Sequence, residues 1–239
     1  MKTFSMTDVG RVRESNQDYV FTSESPVGNL PNLFIVADGM GGHNAGDFAS
    51  KYAVEQIVEY IEHAPMTSPV DLIRGGVTKA NASLMAQAKN DVNLSGMGTT
   101  AVIATIIGDC MYVANVGDSR LYLLRDELTQ ITRDHSLVQE MVRMGEMKAS
   151  EAKFHPDKNI ITRAVGAFEE IEIDFFEEHI QKGDVILMCT DGLSNMVDDT
   201  DIRQIIQTGR DVVEQVQNLI EAANRGGGKD NSTVAIVEI

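Results

Sequence analysis

Four aspartates stand where apolar, strand-like segments begin or end. Asp38 follows an apolar run in "FIVADGMGG", Asp118 follows one in "YVANVGDSR", Asp191 follows one in "ILMCTDGL", and Asp230 stands just before one in "KDNSTVAIV". In antiparallel sheets the end of one strand lies beside the start of its neighbour, so all four carboxylates can meet at one edge. A single Asp-Gly after a strand is more often only a turn, but four such sites with apolar flanks favour a shared chemical role.

Clustered carboxylates require a cation to neutralise them, so this pattern predicts a metal site. The candidate ligands are oxygen atoms, with no cysteine among them and with His43 as the only nearby histidine. Oxygen ligands favour Mg²⁺, Mn²⁺ or Ca²⁺ over Zn²⁺, and few carboxylates with room for water suit Mg²⁺ or Mn²⁺. Gly39, next to Asp38, would let a backbone carbonyl reach the ion and a phosphate approach without meeting a Cβ atom.

Strand-like segments that must position these aspartates outnumber helical ones. Runs rich in Val, Ile, Thr, Phe and Tyr predict strands at Tyr19–Thr22, Leu33–Ala37, Thr99–Ile107, Met111–Val116, Leu121–Leu124, Ile171–Phe176, Val185–Thr190 and Thr233–Ile239. Apolar residues at helical spacing predict helices at Gly46–Ala64, Val70–Asn90 and Asp211–Arg225. Consecutive strands with helices between groups of them indicate an α+β fold with mainly antiparallel pairing.

Composition and charge limit the partners, the compartment and the domain organisation expected for this protein. The chain has 239 residues with a net charge of −16, which argues against nucleic acid or an anionic membrane as partner. No apolar run approaches the roughly 18 residues of a membrane span, and the N-terminus does not resemble a signal peptide. Cys110 and Cys189 stand in strand-like runs, as reduced cysteines of a cytoplasmic protein would. No linker or repeat divides the chain, so one domain is expected over 1–239, with a weakly periodic surface segment at Gly145–Phe168.

Seven motifs in a fixed order resemble one family. They are "RVRESNQD", "VADGMGGH", "GMGTTA", "VANVGDSR", "TRDHSL", "LMCTDGLSN" and "KDNSTVAIV", and they span Thr7 to Val237. Together they are similar to the bacterial PP2C-type (PPM family) metal-dependent protein serine/threonine phosphatases. The resemblance implies a central sandwich of two antiparallel β-sheets flanked by α-helices on both sides, with the metals at one end. It also implies that the segment at 145–168 is a flap beside the active site.

The resemblance assigns ligand roles to the aspartates. It implies that Asp38 bridges two metal ions and that the carbonyl of Gly39 binds one of them. Asp191 and Asp230 correspond to further ligands of the first ion. Asp118, with Asp191 shared, corresponds to the site of a third, weaker ion. The implied cofactor is therefore Mn²⁺ or Mg²⁺, with two tightly held ions and a weaker third.

Other positions match the family's pattern less completely. Arg13 corresponds to the arginine that binds the substrate phosphate. Better-known eukaryotic members have Glu-Asp where this chain has Gln17-Asp18, which leaves Asp18 as the acidic anchor of the metal site. Those members also have a histidine where this chain has Met40, so the identity of the general acid is open. His43 either protonates the leaving group or caps the helix that follows, and the sequence favours neither role.

The implied reaction is hydrolysis of phosphoserine and phosphothreonine in proteins. In the family, a hydroxide held between two metal ions attacks phosphorus in line, without a phosphoenzyme. Expected partners are phosphorylated proteins and a Ser/Thr protein kinase whose action is opposed, with no nucleic acid, no membrane and a monomeric chain. Two alternatives remain: a catalytically weak module that docks phosphoproteins, or a phosphatase of an anti-sigma-factor antagonist.

Overall fold

Two antiparallel sheets form the centre of the protein. The computed structural model describes residues 1–42, 45–152 and 154–239, with the backbone alone described at 149 and 150. In the described chain the first sheet has five strands in the order β1 (Lys2–Asp8), β11 (Ser232–Glu238), β10 (Val185–Cys189), β7 (Arg120–Leu124) and β8 (Leu128–Gln130). The second sheet has the order β2 (Asp18–Ser23), β3 (Leu33–Met40), β5 (Ala101–Ile107), β6 (Cys110–Val116) and β9 (Asp174–His179), and β4 (Gly98–Thr99) pairs with β3.

The helices cover the outer faces of both sheets. The second sheet packs against α1 (Ala45–His63) and α2 (Pro69–Asn90), and the first packs against α5 (Asp191–Ser194), α6 (Asp199–Thr208) and α7 (Val212–Arg225). Connecting segments contain a short 3₁₀ helix (Val92–Leu94), α3 (Leu137–Arg143) and α4 (Ala149–Ala152). The predicted α+β class, with a β-sandwich between helical layers, is confirmed.

Strand β3 shows why its sequence is continuously apolar instead of alternating. Phe34 and Val36 pack between the two sheets, whereas Leu33, Ile35 and Ala37 pack against the outer helices. Because both faces of the strand are buried, every position from 33 to 37 favours an apolar side chain. The run therefore marks a strand in the middle of a layered structure.

The predicted helix boundaries lie within one residue of those observed. Ser68 caps α2, since its Oγ accepts a hydrogen bond from the Asp71 N–H at 3.4 Å. Asp211 lies just outside α7 and caps it by accepting from the N–H groups of Val213 and Glu214. A hairpin turn at Gly108-Asp109 joins β5 to β6, with Gly108 at φ 64°.

Two expectations about elements were wrong, and several elements were missed. The strand expected at Ile171–Phe176 begins only at Asp174, because β6 pairs no further than Asn115, opposite that residue. The missed elements are β1, β8, α3, α4, α5, α6 and the 3₁₀ helix. Asp38 does not follow a strand, because β3 continues through it to Met40.

The segment at 145–168 leaves the surface at its C-terminal end. Ala164 and Val165 are buried, and Val165 exchanges two backbone hydrogen bonds with Thr99, at 2.8 and 3.0 Å. Ile161 forms an isolated bridge with Ser136. The expected surface segment is therefore anchored to the sandwich through its last residues.

Two further sequence expectations concern cysteines and membrane spans. Cys110 and Cys189 are both buried and free, as expected. Among the helices of the described residues, none combines the length and the apolar character that a membrane span requires.

Candidate metal centre

Six of the eight predicted site residues line one cleft of about 260 Å³, which Asp18 does not line. Strand pairing sets part of this arrangement, since Asp18 at the start of β2 lies directly opposite Asp38 in β3. Asp191 opens α5 after β10. The residues that line the cleft are Arg13, Gln17, Asp38, Gly39, Met40, Gly41, Thr100, Asp118, Asn159, Ile161, Asp191, Asp230 and Asn231.

Asp18 lies behind the cleft and joins the two sheets. It is 6% exposed, and its Oδ2 accepts hydrogen bonds from the hydroxyls of Thr190 at 2.8 Å and Thr233 at 2.7 Å. Its Oδ1 is buried without a hydrogen-bond partner. Such an oxygen is costly to bury, and a cation would satisfy it.

Asp191, like Asp18, has one hydrogen-bonded carboxylate oxygen and one that is buried without a partner among the described residues. Its Oδ2 accepts a hydrogen bond from Asn195 Nδ2 at 2.9 Å, and its Oδ1 is buried without a partner. The backbone of Asp38 is held by Thr100, which accepts from the Asp38 N–H through its hydroxyl at 2.8 Å. The carboxylates are thus supported from behind while they line the cleft.

Burial and mutual repulsion make the ionised carboxylates unfavourable in the absence of a cation. Burial, then the charges of Asp18, Asp191, Asp118 and Asp230, hold the pKa of Asp38 well above its usual range. Burial likewise raises the pKa of Asp18 to about 7, of Asp118 to about 8 and of Asp191 to about 6. A divalent cation would reverse this balance by favouring the charged forms.

The donor set fits a hard, partly hydrated cation. Among the described residues, no three or more His, Cys, Asp or Glu side chains form a group that could by itself hold a metal ion. Mg²⁺ bound to proteins keeps several waters and uses only one or two carboxylates, so its binding does not need such a group. The two partnerless carboxylate oxygens, on Asp18 and Asp191, indicate where protein ligands are available.

Glycine at position 39 is required by neighbouring backbone atoms, whereas the sequence suggested that it leaves room for a metal ion and a phosphate. A Cβ atom there would collide with the backbone carbonyl oxygens of Gly46 in α1 and of Gln17. The Gly39 N–H also donates to the Gln17 carbonyl at 3.0 Å. The glycine is therefore needed for close packing of β3 against α1 and the residue before β2.

Arg13 lies in the cleft on the loop between β1 and β2. Its Nη2 forms an ion pair with Asp230 Oδ2 at 2.8 Å, and its side chain is 52% exposed. Asn231 fixes this loop, because its Nδ2 donates to the carbonyls of Val9 and Ser15, both at 2.9 Å. His43 and the following Asn44 lie outside the described residues.

The fold is shared with known phosphatases. The family model of protein phosphatase 2C matches residues 10–225. The chain is 41% identical to the serine/threonine phosphatase stp of Listeria monocytogenes, over 97% of this chain and 93% of that protein. It is 37% identical to protein phosphatase PhpP of Streptococcus pneumoniae, over 100% of this chain and 98% of the relative. The chain belongs to the protein phosphatase 2C family.

A solved PP2C-family structure contains metal ions. The catalytic domain of the serine/threonine protein phosphatase PstP, solved in complex with two manganese ions, is similar with a TM-score of 0.86 and 36% identity. The match covers 98% of this chain and 96% of that domain. Metal dependence, expected from the aspartates, is thus supported for this PP2C-family chain.

Sequence reasoning missed several residues that support the PP2C-family cleft. Thr190 and Thr233 bind Asp18, and Asn195 binds Asp191. One signal was available, since Thr190 and Asn195 lie within four residues of Asp191 in "CTDGLSN". The contact of Thr233 with Asp18 spans 215 residues and depends on how the two sheets dock.

Proposed function

We propose that this chain hydrolyses phosphoserine and phosphothreonine in proteins, with Mn²⁺ or Mg²⁺ ions held by the cleft carboxylates. One observation carries the proposal: a cationic side chain, Arg13, lines the same cleft as Asp38, Asp191 and Asp230. Carboxylates that hold metal beside an arginine suit a phosphate monoester, whose oxygens need positive partners on several sides.

Each acidic residue takes a distinct part in holding the ions. Asp38, Asp191, Asp230 and the carbonyl of Gly39 would hold two ions, with Asp18 supporting them from behind the cleft. Asp118 would hold a weaker third ion. When bound, divalent ions of this kind polarise phosphoryl oxygens and activate water for attack.

Arg13 orients the substrate phosphate. Its guanidinium has five donors in a planar fork, and the ion pair with Asp230 uses Nη2. The side chain is 52% exposed, so its remaining donors are accessible to a phosphate that approaches from solvent. Arg13 thereby stabilises the phosphoryl oxygens as their charge redistributes.

The proton for the leaving group comes from His43 in this proposal. An aryl phosphate leaves as a phenolate and needs little protonation, whereas phosphoserine leaves as a strongly basic alkoxide. His43→Ala should therefore slow a phosphoserine peptide far more than an aryl phosphate. Equal slowing of both substrates would assign His43 to structure.

Phosphorylated proteins are the proposed substrates, and a Ser/Thr protein kinase is the proposed counterpart. The chain would act as a single cytoplasmic domain, as a monomer, with residues 145–168 as the flap beside the cleft. Asn159 and Ile161 of that segment line the cleft, which supports this placement.

Metal replacement tests the function directly. Protein stripped with a chelator should lose hydrolysis of a phosphorylated protein and regain it with Mn²⁺ or Mg²⁺. Ca²⁺ should not restore it, because it prefers longer bonds and more ligands. Full activity in the stripped protein, or full recovery with Ca²⁺, would contradict the proposal.

A further inference from the structure

A chain of side-chain contacts leads from the segment at 145–168 to the metal cleft. Lys158 Nζ donates to Asn195 Oδ1 at 3.1 Å, and Asn195 Nδ2 donates to Asp191 Oδ2 at 2.9 Å. The three residues also line a neighbouring cavity of about 480 Å³, which shares Asp118 and Asp191 with the metal cleft. The contacts therefore connect a surface segment with a candidate metal ligand.

The chemistry of the two ends determines how the amide of Asn195 is oriented. A lysine ammonium only donates and a carboxylate only accepts, so the Asn195 oxygen must face Lys158 and its NH₂ group must face Asp191. The backbone reinforces this contact, since the Asn195 N–H donates to the Asp191 carbonyl at 2.7 Å. With Oδ2 engaged, the buried Oδ1 of Asp191 is left without a donor.

Lys158 is held in place by the turn that carries it. Its N–H donates to the His155 carbonyl at 3.2 Å. Three residues later, Ile161 bridges to Ser136, and the Leu137 N–H donates to the Ile160 carbonyl at 2.8 Å. A displacement of this turn would therefore withdraw Lys158 from Asn195.

We propose that Asn195 and Lys158 are positioning residues that link the 145–168 segment to metal binding at Asp191. Asn195 orients the carboxylate so that one oxygen is available to the ion, and Lys158 orients Asn195. Linkage is reciprocal, so metal binding at Asp191 stabilises the turn that carries Lys158, and the same turn favours metal binding. This inference rests on the proposed function, in which Asp191 is a metal ligand.

The first measurement is the affinity of metal-stripped protein for Mn²⁺, by titration calorimetry. Asn195→Ala should weaken binding by about tenfold, the usual effect of losing a group that orients a ligand. Asn90→Ala is the matched control, because it removes an exposed amide at the end of α2, outside the cleft lining. Wild-type affinity in Asn195→Ala, or equal weakening in Asn90→Ala, would overturn the assignment of Asn195.

The second measurement tests Lys158 through the segment itself. Phe154 is 83% exposed, so chymotrypsin can cleave after it. Saturating Mn²⁺ should slow that cleavage about fivefold in the wild type, the low end of typical coupling between sites. Lys158→Met and Asn195→Ala should lose most of this protection. Lys148→Met, which removes an exposed ammonium from the same segment, should keep it.

These outcomes distinguish failure of the proposed link between the 145–168 segment and Asp191 from failure of the proposed function. Wild-type protection in Lys158→Met, equal loss in Lys148→Met, or no protection in the wild type despite Mn²⁺ binding would overturn the link alone. A wild-type protein that binds no Mn²⁺ would overturn the proposed function and the link together. The double variant Lys158→Met/Asn195→Ala should be no less protected than Asn195→Ala, because both residues act through Asp191.

Discussion

In the metal-free cleft, ionisation of Asp38 is electrostatically unfavourable. Burial and four neighbouring carboxylates raise its pKa, so an ionised Asp38 opposes folding when no cation is present. Asp38→Asn removes the charge at nearly constant size. It should abolish hydrolysis but raise the melting temperature of chelator-treated protein by about 2 °C or more, the shift that ~1 kcal/mol produces in a domain of this size.

The control for Asp38 is Asp126→Asn, which removes the same charge from an exposed turn between β7 and β8. Its melting temperature in chelator should stay within about 1 °C of the wild type, since surface substitutions are usually small in effect. Unchanged turnover of Asp38→Asn in Mn²⁺ would refute its role as a bridging ligand.

At the residue scale, the sequence identified the charged site residues better than it identified the residues that bind to them. Four aspartates at strand edges could be identified because a carboxylate after an apolar run is conspicuous. Thr233 could not, because a threonine in a strand is ordinary and its contact with Asp18 depends on the docking of two sheets. The pairing of Arg13 with Asp230 was likewise not predicted, since 217 residues separate them.

Two glycines in "DGMGG" should differ sharply when each is replaced by alanine. Gly39→Ala places a Cβ against the carbonyls of Gly46 and Gln17, where β3 meets α1. Overpacking of this kind costs about 1–3 kcal/mol, so the melting temperature should fall by several degrees. Gly42→Ala meets nothing within 4 Å and should melt like the wild type. Equal melting of the two variants would contradict the packing at this junction.

The 145–168 segment should influence large substrates more than small ones. Phe154 exposes 83% of its surface there, and it belongs to the same segment as the cleft-lining Asn159 and Ile161, which makes it a candidate contact for a protein substrate. Phe154→Ala should lower kcat/KM about fivefold on phosphorylated casein, the effect of losing ~1 kcal/mol of contact, and leave an aryl phosphate unchanged. Val92→Ala, at an 85% exposed position outside the cleft lining, is the control. Equal losses on both substrates would remove the case for a specificity role.

At the element scale, long apolar runs and long amphipathic helices were predictable. The omission of α6 was avoidable, because Ile202, Ile205 and Ile206 repeat at helical spacing after Asp198. Strand β1 was harder to predict, since "KTFSMTD" has few apolar residues and its pairing with β11 joins the two ends of the chain. Strand β8 is only three residues long, too short for a periodic pattern.

The whole molecule should show an unusual response to pH. Asp191, Asp18 and Asp118 have pKa values raised from 3.8 to about 6, 7 and 8. Groups with raised folded pKa values bind more protons in the folded state, so they contribute stability below about pH 4 that is lost as pH rises through 6 to 8. The melting temperature of chelator-treated protein should therefore fall between pH 5 and pH 8.

Comparing the melting temperatures of chelator-treated and Mn²⁺-loaded protein isolates the contribution of the cleft carboxylates to this fall. Saturating Mn²⁺ should remove most of the fall, because the cation favours the ionised carboxylates. His135 acts in the opposite direction, since burial lowers its pKa and protonation of that group opposes folding at low pH. The difference between the chelator and Mn²⁺ curves cancels this contribution, and a difference independent of pH would contradict the electrostatic account.

The position of β11 has a consequence for biosynthesis. This strand is the last in chain order, yet it lies between β1 and β10, carries Thr233, and begins two residues after Asp230. A nascent chain emerging from the ribosome cannot complete the cleft until Ser232–Glu238 has left the exit tunnel and entered the sheet. The cleft can therefore form only after β11 has been synthesised, and a chain truncated before Ser232 should be inactive.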